Sequence, residues 1–282
     1  MKRNKWFLLG IVLSILFVFS CQKEEDSNTT KAVFSYIPDG FKVSFTNFSI
    51  NAKEYEWDFG DSSEGSILKS PVHVFPNKGQ FLVSLTAKNL EESSTFKDTV
   101  LIIGPNIKID GDFTDWAYVN YTSEDGSGTI LAVKTFASAG YLNFYVEGTA
   151  DFNLTVIDLY LDTDNNPETG LKSWMYPVAS GADFLCEGSV PDEWGDILPH
   201  VGPGNDWNWG DSVAGFADAI QFSEIKNSGG KRIIEFAIKR SVLGTQSGFV
   251  NFAIVENDAG WSEIGAIPLD QTDESKFAQI EL

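Results

Sequence analysis

Trp57-Asp58-Phe59-Gly60-Asp61 is the stretch that decides the fold of the first part of the chain. Trp57 and Phe59 alternate with polar residues, so we expect both rings on the buried face of one β-strand. Asp58, Gly60 and Asp61 are turn formers, and the two carboxylates are expected to accept hydrogen bonds from nearby backbone N–H groups. A catalytic role for the two aspartates is the alternative, but the pattern favours a structural turn.

Short runs of alternating apolar and polar residues surround this turn, and turn-forming residues separate them. Strands of this length and spacing are typical of an antiparallel β-sandwich. The runs cover residues 32–36, 41–45, 54–57, 81–85 and 99–102. We therefore predict a first β-sandwich domain over residues 31–103.

Two further motifs follow the turn: Pro-Val-His-Val-Phe at 71–75 and Gly-Gln-Phe-Leu-Val-Ser-Leu at 79–85. Together with the turn they resemble the PKD domain, an immunoglobulin-like sandwich with a WDFGD turn, a P-x-H-x-Y strand and a G-x-Y-x-V-x-L strand. Phe75 and Phe81 stand where that family has tyrosines, which keeps the aromatic volume and loses only hydroxyl contacts. We expect His73 to pack in its strand and to bond a backbone group. The resemblance implies a spacer or a weak interaction module.

Residues 104–282 again show short apolar runs and little sign of a long amphipathic helix. The runs cover 142–146, 155–161, 183–186, 219–222, 232–238 and 249–255. Asn227-Ser228-Gly229-Gly230 is a hairpin signal between two of them. The predicted fold class is all-β, with an immunoglobulin-like PKD sandwich followed by a larger β-sandwich.

The order of motifs in this second module is informative. Ile-Asp-Gly-Asp-Phe-Thr-Asp-Trp opens it at 109–116, and motifs at 141–146, 157–162, 235–244 and 250–258 follow. They resemble the family 9 carbohydrate-binding modules and their DOMON-like relatives, which open with I-D-G-x-x-D-x-W and carry an E-x-x-I-P segment before the last strand. The proline of that segment is absent, because Ile238 is followed by Lys239. The resemblance implies a carbohydrate-binding sandwich.

Aromatic residues concentrate in a loop-rich part of this module, among Gly, Pro, Asn and Asp. Sugars stack their C–H faces on flat aromatic rings, so exposed rings on a sandwich are the expected binding device. The candidates for carbohydrate binding are Trp174, Tyr176, Trp194, Trp207, Trp209 and Trp261. If residues 207–209 are extended, both indoles lie on one face. The alternative is that several of these rings are core, as we expect for Trp116, since tryptophan is highly buried on average.

A calcium site is predicted in the loop that begins at the end of the 155–161 run. Oxygen-bearing side chains alternate there at Asp162, Asp164, Asn166 and Glu168. Calcium takes six to eight hard oxygen ligands, and such a loop supplies several of them. The segment lacks the glycine and the glutamate of an EF-hand, and the alternative is an Asx-rich turn that binds nothing.

The first 20 residues have the pattern of a signal peptide. Basic residues at positions 2, 3 and 5 precede an uncharged run from 6 to 19 that is too short to span a bilayer. Ser20-Cys21 then resembles the lipobox of bacterial lipoproteins, which implies that Cys21 becomes the lipidated N-terminus. Cleavage by ordinary signal peptidase and an uncleaved signal anchor are the alternatives. The other cysteine, Cys186, lies in an apolar run and is predicted to be a small buried hydrophobe rather than a nucleophile.

Residues 21–30 form an acidic tether that resembles the surface-export signal of lipoproteins in Bacteroidota. That resemblance implies a lipid-anchored protein on the outer face of the outer membrane. The alternative is that the segment is only a solvated tether. The whole chain carries a net charge of −20, and a negative field of this size repels phosphate, so nucleic acid and anionic lipid surfaces are poor partners.

No G-x-S-x-G, H-E-x-x-H or P-loop motif occurs in the sequence. We therefore predict a non-catalytic surface lipoprotein that binds polysaccharide or oligosaccharide, in a Sus-type capture system with an outer-membrane transporter complex as a partner. One alternative is a surface scaffold that binds other proteins and no glycan. The other is a glycan-degrading enzyme, because an acidic chain supplies pairs of carboxylates by chance.

Overall fold

The computed structural model describes residues 29–282, which form two β-sandwiches one after the other. The predicted all-β fold class is confirmed. Cys21, the predicted leader and most of the predicted tether lie outside the described residues. None of the helices within residues 29–282 is long and apolar enough to cross a membrane.

The first sandwich consists of two antiparallel three-stranded sheets. Its strands are β1 (Phe34–Asp39), β2 (Lys42–Asn47), β3 (Glu54–Asp58), β4 (Val72–Val74), β5 (Gly79–Lys88) and β6 (Ser93–Ile102). One sheet has the order β1-β2-β4 and the other β3-β5-β6. Aromatic side chains fill the space between them, as shown by Phe34 and Phe45, whose ring centroids lie 5.1 and 5.2 Å from that of Trp57. The alternating pattern of the sequence therefore produces one packed core.

The turn at the end of β3 has the structure that its sequence predicts. Trp57 and Phe59 are each only 3% exposed. Asp58 Oδ1 accepts a hydrogen bond from the Gly60 N–H at 2.9 Å. Gly60 has φ +74°, and a Cβ there would lie 2.6 Å from the Leu82 carbonyl oxygen, so the turn needs glycine at this position.

His73 packs in β4 as predicted, but among residues 29–282 its ring bonds side chains and no backbone group, so that part of the prediction was wrong. Its ring stacks on Phe59, with centroids 3.8 Å apart and an interplanar angle of 2°. This stacking places Nε2 beside the turn that follows β3. There Nε2 lies 2.7 Å from Asp61 Oδ2. Burial raises the pKa of Asp61, but hydrogen bonds from Ser63 and His73 outweigh burial and hold that pKa below its usual range.

The second sandwich contains fourteen strands and three short helical segments. Its first half has β7 (Tyr121–Ser123), β8 (Ser127–Gly128), β9 (Ile130–Ala137), β10 (Tyr141–Gly148), β11 (Val156–Asp162), β12 (Phe184–Ser189) and β13 (Trp194–Pro199). The second half has β14 (Ala214–Gly215), β15 (Ile220–Phe222), β16 (Lys226–Ser228), β17 (Lys231–Lys239), β18 (Phe249–Asn257), β19 (Glu263–Ile267) and β20 (Ala278–Glu281). The helical segments are α1 (Phe216–Ala219) and two 3-10 turns, Phe113–Trp116 and Arg240–Val242.

Two antiparallel sheets face each other in this module. The six-stranded sheet has the order β15-β17-β10-β9-β7, with β16 paired to β17. The eight-stranded sheet has the order β14-β13-β12-β11-β18-β19-β8, with β20 paired to β18. The predicted hairpin at Gly229-Gly230 is present, because Ser228 pairs with Lys231.

The core between the two sheets is apolar. Phe144 and Phe236, both on the six-stranded sheet, stack with their ring centroids 4.7 Å apart. Phe252 of the eight-stranded sheet meets the Phe144 ring edge to face, with centroids 5.3 Å apart. Cys186 is 1% exposed in this core, and burial raises the pKa of its thiol. The prediction that Cys186 is a buried hydrophobe is confirmed.

The two sandwiches also share buried contacts. The Phe41 ring of the first meets the Phe136 ring of the second edge to face, with centroids 6.0 Å apart. Trp116, predicted to be structural, is 1% exposed and belongs to the same hydrophobic cluster as the core of the first sandwich. The two sandwiches are therefore in direct packing contact.

Candidate ligand-binding face

The outer face of the eight-stranded sheet, which points away from the core, carries the candidate site. Leu159 and Leu161 of β11 belong to the core between the sheets. Because successive side chains of a strand point to opposite faces, Asp158 and Tyr160 lie on the outer face. Tyr160 packs there in a second, smaller cluster with residues of the loops that follow β11 and β19.

Three carboxylates line up across this outer face, and we call them the acidic row. Asp158 pairs with Glu187 of β12, and Glu187 pairs with Asp196 of β13. Their exposure increases along the row, from buried Asp158 through half-buried Glu187 to exposed Asp196. Gly195 confirms the orientation, because a Cβ there would point at the ring of the core residue Phe216. The row therefore runs from the buried centre of the sheet face to its exposed edge.

Hydrogen-bond donors are scarce along the acidic row. Asp158 is 8% exposed; its Oδ2 accepts from Asn257 Nδ2 at 3.0 Å, while its Oδ1 has no donor among the described residues. Glu187 interacts with the Asp158 carboxyl, and two carboxyls can share a hydrogen bond only when one is protonated. Burial, with the nearby Glu187 charge, raises the pKa of Asp158 to about 7, and burial also raises that of Glu187.

Exposed tryptophans lie on both sides of the acidic row. Trp194 of β13 shares the side of the strand that Asp196 occupies, two residues away, and is 45% exposed. Trp207 is 58% exposed, and its ring lies 6.2 Å from that of Tyr160, two residues beyond Asp158. Same-face residues on a strand are roughly 7 Å apart, so the two indoles bracket the carboxylates along the strand direction.

A hairpin-like loop holds Trp207. His200 and Trp209 form an isolated β-bridge at its base, and the Val201 N–H donates to the Asn208 carbonyl at 2.9 Å. The rings of Trp207 and Trp209 meet at 5.5 Å and 87°, so their planes are nearly perpendicular. The Asn208 N–H donates to the Asp206 carbonyl at 2.8 Å, which bends the chain at Trp207, and the placement of both indoles on one face stays a prediction. Half-buried Trp209 supports Trp207 from the side.

Tyr176 cannot serve as a stacking platform, which corrects its prediction as a sugar contact. It is fully buried, because the loop after β11 folds back over the outer face. Its hydroxyl donates to the Pro268 carbonyl at 2.9 Å. Trp174 and Trp261 are exposed, by 74% and 52%, and Trp261 has a φ of 64° that non-glycine residues rarely adopt. Their role in sugar binding stays a prediction.

A second pair of acidic groups lies beside the acidic row, on β19 and the loop after it. Glu263 and Asp270 both accept hydrogen bonds from Gln271 Nε2, at 2.9 and 3.1 Å. Burial, followed by the charge of Asp270, raises the pKa of Glu263 to about 7. None of the eight strands of this sheet, all within the described residues, contains a lysine or arginine. This side of the molecule is therefore strongly acidic.

The predicted calcium loop brings together a different set of side chains. Carboxylate oxygens of Asp162, Asp164 and Asp183 lie within 4.8 Å of one another. Asp183, on the loop before β12, was missed because it is remote in sequence. Glu168 is not part of the group, since its carboxylate lies 2.6 Å from Lys172 Nζ. The Asn166 side-chain oxygen accepts from the Glu168 N–H at 3.1 Å, and a role for Asn166 as a calcium ligand stays a prediction.

The outer face of the six-stranded sheet contrasts with the candidate site. There the fully buried Glu235 of β17 accepts hydrogen bonds from Asp110 N–H, Gly111 N–H and Trp116 Nε1, at 2.9, 2.6 and 2.9 Å. Glu235 thus fixes the motif that opens the second module. On β10, Glu147 accepts from two tyrosine hydroxyls and pairs with a lysine.

Comparison with known proteins supports the assignment of the first sandwich. Residues 25–103 match the family model of the PKD domain, which confirms that part of the sequence prediction. The chain is similar to the PKD1 domain of the Vibrio cholerae metalloprotease PrtV, with 25% identity over 26% of this chain and 96% of that one, and a TM-score of 0.25. No curated protein matches the chain.

The second sandwich is similar to solved carbohydrate-binding modules. A family 9 module from Caldicellulosiruptor kristjanssonii in complex with cellotriose is 14% identical, over 63% of this chain and 89% of that one, with a TM-score of 0.37. The module from the same organism in complex with glucose is 13% identical, over 64% and 91%, again with a TM-score of 0.37. This is the family whose motifs the second module resembles.

Proposed function

We propose that the protein binds glycans, without catalysis, on the outer face of the eight-stranded sheet. The observation that carries the proposal is that exposed Trp194 and Trp207 bracket a row of three carboxylates on a sheet whose strands contain no lysine or arginine. Indole faces stack on the C–H faces of pyranose rings, and carboxylates accept hydrogen bonds from sugar hydroxyls. Trp194 and the three carboxylates lie on strands, where side chains are held more rigidly than on a free loop.

Affinity electrophoresis of the mature protein in gels with soluble polysaccharides tests this proposal. We expect retardation by at least one polysaccharide and about tenfold weaker binding by Trp207→Ala, because a stacked ring contributes up to roughly 1.5 kcal/mol. Phe48→Ala is a matched control, since it removes a ring that is 58% exposed on the first sandwich. Full retardation of Trp194→Ala and Trp207→Ala would place the site elsewhere, and Trp174→Ala and Trp261→Ala then test the remaining candidates.

Hydrolysis is the second candidate, and one observation favours it: Asp158 is a buried carboxyl of raised pKa beside another carboxyl. Glycosidases need such a pair, but separated by roughly 5 Å or more so that the sugar fits between them. Asp158 and Glu187 interact directly, which leaves no such room. New reducing ends during incubation with a bound polysaccharide would establish hydrolysis and overturn the non-catalytic proposal.

The cellular setting that we propose rests on the sequence. A lipid on Cys21 would anchor the protein to the outer membrane, facing the exterior, with the PKD sandwich between the membrane and the glycan-binding face. A Sus-type capture system with a transporter partner suits a binding protein of this design. Metabolic labelling with a tritiated fatty acid tests the anchor: label should enter the wild-type protein and be lost in Cys21→Ala. A protein that copurifies with the transporter but is retarded by no glycan would support the scaffold alternative.

A structural calcium ion at Asp162, Asp164 and Asp183 is also proposed, because three hard oxygen donors converge there. Most of these carboxylates already accept local hydrogen bonds, such as that from Asn251 Nδ2 to Asp162 Oδ2 at 2.8 Å, which an Asx-rich turn would also show. Thermal unfolding after chelation, with calcium or magnesium restored, separates the two. A rise in Tm with calcium alone that Asp183→Asn removes supports the ion; no rise leaves a turn.

A further inference from the structure

We infer that the second sandwich binds a small aromatic monocarboxylate, of the arylpropionate type, with its carboxylate paired to Arg232. The site is a cavity at the edge of the sandwich, where β15 and β17 of one sheet face the turn between β12 and β13 of the other, and we call it the edge cavity. Neither Trp194, Trp207 nor a member of the acidic row lines it. The inference is therefore independent of the proposed glycan-binding face.

The edge cavity has the size and the apolar floor of a small-molecule site. Its volume is about 590 Å³, within the range of pockets that bind small ligands. Phe216 and Ile220, which line it, belong to the core between the sheets, and Phe222 packs against that core. The Phe216 and Phe222 rings lie 5.7 Å apart with their planes inclined by 47°. Rings inclined in this way accept a further aromatic ring against a face or an edge, so the floor favours an aromatic ligand.

Arg232 brings a positive charge to this apolar surface. On β17 it has the same orientation as Ile234, Phe236 and Ile238, which all belong to the core between the sheets. Because residues two apart on a strand point to the same face, the Arg232 side chain leaves β17 on the core side. It is half-buried and lines the edge cavity. The strand therefore directs a guanidinium into the cavity rather than to the outer face of the sheet.

The Arg232 guanidinium has no partner within residues 29–282, because none of their hydrogen bonds or ion pairs reaches it. Other cations of the module are engaged. Lys231, the preceding residue, contacts the Glu147 carboxylate, and Arg240 donates to the Ser138 carbonyl at 3.0 Å. A charge that is partly withdrawn from water without a counter-charge is costly. The geometry therefore leaves a place for an anion beside Arg232.

The walls of the edge cavity limit what this anion can be. The Ser189 and Ser223 hydroxyls already form hydrogen bonds with the chain. Two exposed lining residues, Glu193 and Glu224, are negative, which disfavours a multiply charged anion such as phosphate. A monocarboxylate brings one charge, and its two oxygens match the paired N–H donors of a guanidinium.

The overall charge of the molecule opposes this ligand. A net charge of −20 repels anions at long range, so it cannot produce an association with a carboxylate. Binding of an aromatic carboxylate would therefore report a local site, and its dependence on Arg232 would identify that site.

Isothermal titration of the mature protein with 3-phenylpropionate, 3-phenylpropanamide and propionate tests the inference. We expect 3-phenylpropionate to bind about tenfold more tightly than the other two, because the amide lacks the charge and propionate lacks the ring. Arg232→Met keeps an apolar side chain and should weaken binding of 3-phenylpropionate by about tenfold. Lys276→Met, which removes an exposed cation that does not line the edge cavity, is the matched control and should bind like the wild type.

A second variant tests the cavity without changing its charge. Ala217 is an exposed lining residue, so Ala217→Trp should narrow the edge cavity and also weaken binding of 3-phenylpropionate. Urea denaturation of both variants shows whether each is folded, which separates loss of the site from loss of the fold.

Each other outcome overturns the inference for a stated reason. Equal binding of the acid and the amide would show that the carboxylate has no partner, and equal binding of propionate would show that the ring has none. Unchanged binding by folded Arg232→Met would place the carboxylate elsewhere. If none of the three compounds binds the wild type, the edge cavity is no site for this class of ligand. The proposed glycan binding stands or falls separately, by retardation in polysaccharide gels.

Discussion

The two outer faces of the second sandwich use buried acids in opposite ways. On the six-stranded sheet, Glu147 and Glu235 are surrounded by donors from the chain, and the segment that includes Trp116 covers them. On the eight-stranded sheet, the Asp158 and Glu187 carboxyls lie side by side and share a hydrogen bond, and the one further donor to Asp158 among the described residues is Asn257, on the other neighbouring strand. A saturated carboxylate holds the fold together, whereas an unsaturated one is kept at a cost in stability. The difference assigns a structural role to the buried acids of one face, while ligand binding on the other face is our proposal.

The largest effect is expected on the covered face. Glu235→Ala leaves the Trp116 indole N–H and two backbone N–H groups buried without an acceptor, so we expect a loss of about 3–5 kcal/mol in the free energy of unfolding. Urea denaturation of the mature protein measures it, and Glu235→Gln, which keeps one acceptor oxygen, should lose less. A loss below 1 kcal/mol in Glu235→Ala would break the comparison.

The next effect is a gain, on the open face. The pKa of Asp158 rises from 3.8 to about 7 on folding, so folding favours the protonated form. Stability from this group is therefore complete below about pH 4, falls as the pH rises and is lost above about pH 7. We expect the free energy of unfolding of Asp158→Asn, measured by urea denaturation, to exceed that of the wild type at pH 8 by on the order of 2–4 kcal/mol. At pH 4 the two free energies should be equal. Parallel stability curves would contradict this assignment.

A smaller loss is expected when one of several donors is removed. Tyr121 donates to Glu147 Oε1 at 2.6 Å, while Tyr145 and Lys231 also contact that carboxylate. Tyr121→Phe should therefore cost about 1–2 kcal/mol, the range for one hydrogen bond to a charged group. Differential scanning calorimetry measures it. Tyr141→Phe, on the same strand as Glu147, is the control, because no hydrogen bond of the Tyr141 hydroxyl is among those of the described residues.

The smallest effect on stability is expected at Glu187. It is half-buried, its hydrogen-bond partner is the Asp158 carboxyl, and glutamine keeps an acceptor oxygen for that bond, so Glu187→Gln should change the free energy of unfolding by no more than about 0.5 kcal/mol. The same variant should weaken glycan binding in affinity electrophoresis. A loss of stability as large as that of Glu235→Ala would show that Glu187 is structural and would remove the distinction between the faces.

The parts of the molecule that local sequence patterns predict are those governed by local physics. Trp57 and Phe59 alternate with polar residues and are buried together, and Gly229-Gly230 turns a hairpin. Local sequence patterns could not predict the acidic row. Its members come from three strands, and only the register between strands brings them together. One local signal was available: Asp158 is a charge inside the continuous apolar run of β11, where burial without a partner is costly.

The candidate aromatic residues also show that local sequence patterns do not determine tertiary packing. Composition identified a loop-rich region with exposed tryptophans, and Trp174, Trp194 and Trp207 are indeed exposed. It could not show that Tyr176 is buried, because that depends on a loop that folds back over the outer face. Nor could it show that the ring planes of Trp207 and Trp209 are nearly perpendicular. Both outcomes follow from tertiary packing, which overrides local pattern.

The most direct test of the account follows the indole N–H signals of the mature protein by NMR during titration with a bound oligosaccharide. If glycans bind to the outer face of the eight-stranded sheet, we expect the signals of Trp194 and Trp207 to shift most. Those of the core residues Trp57 and Trp116 should stay in place. Shifts confined to Trp174 or Trp261, with Trp194 and Trp207 unchanged, would contradict the assignment of the outer face as the glycan-binding site.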